Sequence, residues 1–224
     1  MPFMPATVTR QCFYWLTACL LANASLAAAS EAPPPPAGFS GAAPEVAERI
    51  QRFAADVRRS GDAGGRPFGV IDKAGGALWV FDAEGQPVAQ SPALVGEARG
   101  DVAPPDIGQR PLSKVRRHEK ITSAGRYVTE PGRNDKGEDI VWLDYDAALS
   151  MHRVRNVPGE GRFRRLQTPG VQDNRISFGC VNLPASFYDR VIDPLFSRRS
   201  GVVYVLPEQQ SLASVFGFVS GAGN

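Results

Sequence analysis

The residues that build metal centres and disulfide frameworks are scarce in this chain. It holds three cysteines and two histidines, and no close ligand spacing links them, which excludes a structural metal site. Cys12 and Cys19 fall in an apolar N-terminal run, so Cys180 stands alone with no intramolecular partner. Charge of one sign is also missing: 25 basic residues face 23 acidic ones, for a formal net charge of +2. That balance gives no electrostatic case for a nucleic-acid partner. After the N-terminal run, no stretch approaches the roughly 20 apolar residues of a transmembrane span. No internal repeat is present.

What is present begins with an export signal. Arg10 precedes an apolar run from Cys12 to Leu26, and Ala27-Ala28-Ala29 closes it. These are the n-region, h-region and small-residue cleavage site of a secretory signal peptide at 1–29, which directs the mature chain to the periplasm or cell envelope. Leu16-Thr17-Ala18-Cys19 offers a lipoprotein cleavage pattern as the minor alternative, but Leu20, Leu21 and Leu26 continue the run past Cys19. A lone thiol carried into an oxidising compartment reads as a reactive group rather than half of a disulfide.

Residues 30–43, with Pro33 to Pro36, form a stiff, extended tether. An N-terminal helical segment follows at 44–65. Val46, Ile50, Phe53, Ala54 and Val57 share one face of a helix from Pro44 to about Arg59, and Gly61 to Gly65 end it. From Phe68 the period changes to two. Strands are predicted over 68–72, 77–82, 87–90, 125–129, 139–144, 148–152 and 201–206, with a hairpin turn at 83–86. Gly96 to Lys120 reads as a charged surface loop. Pro184 opens a helix through Phe196 with Phe187, Val191 and Leu195 on one face. The fold class is mainly β with peripheral helices, a main domain at 66–207 and a Ser- and Gly-rich tail at 208–224.

A cysteine nucleophile needs a base to take its proton and donors for the oxyanion formed on attack. His152 ends an alternating apolar segment, where a side chain can face a cleft. His118 sits in the charged stretch Arg116 to Lys120, so His152 is the candidate base. Ser177 and Gly179 flank the thiol with small groups, Ser177 as a structural hydroxyl. Asn182 stands two residues before Pro184, placed to cap that helix and to orient the cysteine loop. Arg153, Arg155, Arg162, Arg164, Arg165 and Arg175 read first as a solvated loop face, and otherwise as a positive rim for carboxylate-bearing substrates. Trp79, Trp142 and Tyr145 fall in strand patterns as core or cleft lining.

At these residues the chain resembles the L,D-transpeptidase catalytic-domain (YkuD) family. Met151-His152, then Ser177-Phe178-Gly179-Cys180-Val181-Asn182, is similar to that family's strand-end histidine and its Ser/Thr-His-Gly-Cys-apolar-Asn/Arg motif. Thr122 to Val128 resembles its Thr-Pro-x-Gly-x-aromatic segment, with Ser123 in place of the proline. The resemblance spans Pro67 to Pro207. It implies a β-sandwich-like exported catalytic domain that needs no cofactor and acts on peptidoglycan stem peptides. Cys180 would be the nucleophile and His152 the general base, with Gly179, Ser177 and Asn182 supporting the loop and the oxyanion. Arg153, Arg175 and Phe178 would rim the substrate, and carbapenem-type inhibitors would acylate the same thiol.

Two departures stand out. Phe178 replaces the histidine that usually precedes Gly-Cys, so support for the thiolate or the loop is either weaker or supplied by aromatic packing. The segment 153–179 between base and nucleophile is longer than usual, which reshapes the groove. Three alternatives stay open: an L,D-carboxypeptidase or amidase that resolves the same acyl-enzyme with water, a non-catalytic wall-binding module of this fold, and a generic cysteine peptidase.

Overall fold

The computed structural model describes residues 44–219. The signal segment 1–29, the tether 30–43 and residues 220–224 lie outside the described residues. No helix among the described residues is long and apolar enough to cross a membrane.

The first helix, α1 (Pro44–Ser60), carries Glu45 in its first turn and Arg58 and Arg59 in its last, where each sign suits the helix dipole. Ile50, Phe53, Ala54 and Val57 form its buried stripe. That stripe lies over a sheet begun by β1 (Phe68–Asp72), β2 (Ala77–Phe81) and β3 (Pro87–Pro92). Every residue of β1 and β2 is buried, because both faces of these strands are covered. Leu78 and Val80 point into the central core, while Trp79 and Phe81 on the opposite face pack beneath α1.

Eight more strands complete the fold: β4 (Val95–Gly96), β5 (Gly125–Val128), β6 (Glu130–Arg133), β7 (Asp139–Asp144), β8 (Leu149–Arg153), β9 (Arg175–Ser177), β10 (Val181–Leu183) and β11 (Val202–Val205). One sheet runs β3-β2-β1-β11-β5, a second runs β10-β8-β7-β6, and β4 pairs with β9. The central core lies between the two larger sheets, with Ile71, Val203 and Val205 from one side and Val141, Met151, Val181 and Leu183 from the other. The result is a mainly β fold with peripheral helices.

Several elements differ from the sequence reading. β4, β6 and β9 are two to four residues long, too short to show a period of two. The loop after Gly96 contains three single 3-10 turns, Ile107–Gln109, Leu112–Lys114 and Arg117–Glu119. A short α2 (Arg162–Arg165) interrupts the arginine-rich segment. The helix after Pro184 starts as α3 (Ala185–Phe187) and widens into a π-helix, Tyr188–Ser197. Its buried residues are Tyr188, Ile192 and Phe196, one position beyond the predicted face, whose Phe187, Val191 and Leu195 are only partly buried. The apolar positions come in adjacent pairs, and the wide stripe centres on the second of each pair. The supposed tail is also packed: α4 (Leu212–Val215) leads to Phe216, whose ring lies 5.1 Å from that of Phe53 on α1.

A buried ionic cluster holds the chain after β11 in place. Lys73 donates to Asp101 at 2.8 Å and to the carbonyls of Gly100 and Thr122. Asp101 accepts the amides of Glu208, Gln209 and Gln210, and Arg175 pairs with Glu208 at 2.5 Å. Burial pushes the Asp101 carboxyl up, but Lys73 and those three amides outweigh it and hold it at about 2.

Candidate active site

Strand β8 presents one wall of a cleft. Alternation sends Met151 fully into the core and turns its neighbours, Ser150 and His152, to the opposite face. β10 runs parallel to β8 with Val181 opposite Met151 and Asn182 opposite His152. That register brings the loop just before β10, and Cys180 within it, alongside His152.

The half-buried thiol of Cys180 donates to the carbonyl of Ala148 at 3.2 Å and accepts the Ser150 hydroxyl at 3.4 Å. Ala148 ends the β7–β8 turn and has φ +51°, the only positive φ outside glycine among the described residues. Such backbone strain persists where surrounding structure enforces it. His152 lines the same cleft as the thiol. Its Nδ1 lies 2.8 Å from the carbonyl of Arg153. A carbonyl only accepts, so Nδ1 carries the hydrogen and Nε2 keeps a free lone pair. Burial pushes the Cys180 thiol up, but the neighbouring His152 imidazole, with the Ser150 hydroxyl and amide, outweighs it and draws the thiol below its ordinary value.

The loop side holds the backbone of Cys180. Its carbonyl accepts from the Ser177 hydroxyl at 2.6 Å and from the Asn182 side chain at 3.1 Å. Asn182 is fully buried, and its oxygen accepts from Arg162 at 2.8 Å. Arg162 is paired in turn with Glu160. Asn182 therefore braces the loop and does not cap the helix after Pro184, which has no side-chain cap. Thr122 donates to the Gly179 carbonyl at 2.6 Å and accepts the Gly96 amide. Gly179 has φ +138°, and a Cβ there would meet the Ile121 carbonyl at 2.9 Å, so this position requires glycine. The Gly179 amide already donates to Ser177 Oγ at 3.1 Å. It is not free for an oxyanion, whereas the Cys180 amide has no hydrogen bond among the described residues.

The cleft over the thiol measures about 690 Å³, with His152, Ser177, Phe178, Cys180 and Asn182 in its lining. Phe178 is half-buried on the cleft wall, with the Lys120 ammonium 4.0 Å above its ring centre. It is not a core aromatic. Two other predicted rim residues lie elsewhere. Arg153, one residue out of phase with His152, stacks 4.3 Å from the Tyr188 ring centre and pairs with Asp189. Arg175 is taken up by Glu208 and by the carbonyls of Lys73 and Ala98. The cations that line the cleft are Lys136, Arg155 and Arg162. The arginine-rich segment is therefore not a uniformly solvated face, since Arg162 is buried and Arg165 ties down the carbonyls of Glu160 and Asp173. His118 is exposed and outside the cleft lining.

Sequence reasoning missed Ser150, Thr122 as a brace, and Arg162 as the partner of Asn182. The alternation that points to His152 also points two residues back to Ser150. Nothing in an arginine-rich stretch marks one member as buried. No group of residues suited to a metal ion occurs among the described residues.

No described protein family matches the sequence, and no curated protein is significantly similar to it. Among solved structures, the chain is similar to an L,D-transpeptidase (residues 123-326) from Xylanimonas cellulosilytica DSM 15894, at 14% identity and a TM-score of 0.38, over 63% of this chain and 60% of that one. The chain thus spans about three fifths of the length of that relative. It is also similar to the catalytic domain of the E. faecium L,D-transpeptidase, at 15% identity and a TM-score of 0.34, over 63% of this chain and 98% of that one. At such scores the functional reading rests on the geometry of the site itself.

Proposed function

We propose that this protein is an exported cysteine acyltransferase of the L,D-transpeptidase type, acting on peptidoglycan stem peptides through a thioester on Cys180. The observation that carries the reading is a cleft lined by both Cys180 and His152, in which the Arg153 carbonyl fixes the imidazole and strand β8 holds it beside the thiol. A thiol with a tautomer-fixed imidazole beside it is an activated nucleophile.

The step follows from those positions. His152 Nε2 takes the thiol proton, and Sγ attacks the carbonyl of the L-centre of the third stem residue. The Cys180 amide donates to the developing oxyanion. His152 then returns the proton to the departing D-alanine amine, which leaves a thioester. A second stem amine attacks that thioester and gives its proton to His152. The C–S bond breaks as the new amide forms, and the departing Cys180 sulfur recovers the proton from His152. Stem peptides carry free carboxylates, for which Lys136 and Arg155 are the cleft cations with the best access. Arg155 is paired with Glu138 and keeps a buried Nε without a partner, whereas Arg162 is taken up by Asn182 and Glu160.

The experiment is incubation of the full chain with purified disaccharide-tetrapeptides, with products resolved by mass. A crosslinked dimer with loss of D-alanine supports transfer. A tripeptide without dimer identifies hydrolysis of the same acyl-enzyme. No product, together with no carbapenem mass added at Cys180, overturns the enzymatic reading in favour of a binding module.

A further inference from the structure

We infer that Ser150 is a catalytic residue of this site: its hydroxyl holds the Cys180 thiolate once His152 has taken the proton. The inference rests on Cys180 as the nucleophile, but not on the identity of the substrate.

Three observations carry it. Ser150 is 3% exposed, and the sulfur of Cys180 is the only hydrogen-bond partner of its hydroxyl among the described residues. A neutral thiol is a weak acceptor, so this buried hydroxyl is poorly satisfied while the sulfur keeps its proton. A thiolate accepts a charge-assisted hydrogen bond and satisfies it well. The contact is thus stronger in the ionised state, the condition for lowering the free energy of ionisation. Second, Ser150 and His152 are two residues apart on β8 and face the same way, so one rigid strand holds the hydroxyl on the sulfur and the imidazole in the same cleft. Third, the neutral thiol has a different partner, the Ala148 carbonyl, which can accept S–H but cannot donate to a thiolate.

Deprotonation therefore exchanges partners. The S–H bond breaks, an N–H bond forms on His152 Nε2, and the electron pair stays on Sγ. The sulfur loses its contact to the Ala148 carbonyl and draws on the Ser150 hydroxyl. The ring of Phe178, the residue immediately before Gly179, supplies no hydrogen bond to the thiolate. Ser150 supplies one from the opposite wall.

The test is the rate of Cys180 alkylation by iodoacetamide as a function of pH, with melting temperatures alongside. Ser150→Ala should raise the midpoint of the curve and slow alkylation at neutral pH by about 10- to 100-fold, the range for a hydrogen bond to a charged group. The rate at the high-pH plateau should be unchanged. Ser150→Thr and Ser150→Val are near-isosteres in shape and differ in the hydroxyl, so they separate chemistry from packing if Ser150→Ala folds poorly. Ser150→Thr should keep the wild-type midpoint, and Ser150→Val should shift it as Ser150→Ala does. A wild-type midpoint in Ser150→Val, or equal shifts in Ser150→Thr and Ser150→Val, overturns the proposal. Alkylation reads the thiol alone, so either result is independent of whether muropeptides are turned over.

Discussion

The two walls around Cys180 act on different atoms of the same residue. Strand β8 addresses the sulfur, through Ser150 and His152. The loop from Ser177 to Asn182 addresses the carbonyl, through the Ser177 hydroxyl and the Asn182 amide. One wall governs where the proton sits, and the other governs where the backbone sits. Reactivity and posture are thus separable here, and substitutions on the two walls should leave different signatures.

Cys180→Ala removes the atom both walls serve and should have the largest effect, with complete loss of turnover and of the carbapenem adduct at an unchanged melting temperature. Mass spectrometry of the inhibitor-treated protein reads the second point directly. On the strand side, His152→Ala should slow acylation by about 10²- to 10⁴-fold, the usual contribution of a placed general base. Its melting temperature should move little, because the ring is only half-buried. His118→Ala should match wild type in stopped-flow acylation.

On the loop side, Asn182→Ala should show the reverse balance. It strips the Arg162 guanidinium and the Cys180 carbonyl of one partner each, at a cost of about 1–3 kcal/mol in denaturant unfolding. Turnover should fall less than in His152→Ala, and the pH midpoint of alkylation should stay put. A shift of that midpoint would mean that the walls are coupled and the division fails. The smallest effect belongs to Phe178→Ala. A half-exposed ring under one ammonium contributes about 0.5–1 kcal/mol by cation–π contact, so the melting curve should barely move. Loss of several kcal/mol there would show that the ring carries core packing after all.

The sequence reading was most reliable where repetition supplied the signal. The apolar stripe of α1 and the presence of strands at β1 and β2 follow from spacing alone, as does the position of His152 at the end of an alternating segment. A period of two gave no sign that β1 and β2 are buried on both faces. Cys180 could be singled out because it has no partner. Groups that matter through one contact made across the fold left no such trace. Lys73 becomes a buried cation through Asp101 and two carbonyls far along the chain. Arg162 and Arg175 belong to a cluster that looks uniform in sequence, yet one braces Asn182 and the other grips Glu208. Periodicity reports which face a residue shares, and it is silent about which partner arrives there.

The place of β11 matters to the Cys180 loop. It lies between β1 and β5 and parallel to β1, although ten strands precede it in the chain. Without it, the five-stranded sheet has a vacant interior slot that leaves one edge each of β1 and β5 unpaired. Asp101 relies on the same stretch, because its three amide donors begin at Glu208, just after that strand. The loop that carries Thr122 beneath Gly179 shares this anchorage through Lys73. The support under the Cys180 loop is therefore tied, through Thr122, Lys73 and Asp101, to a segment that follows β11.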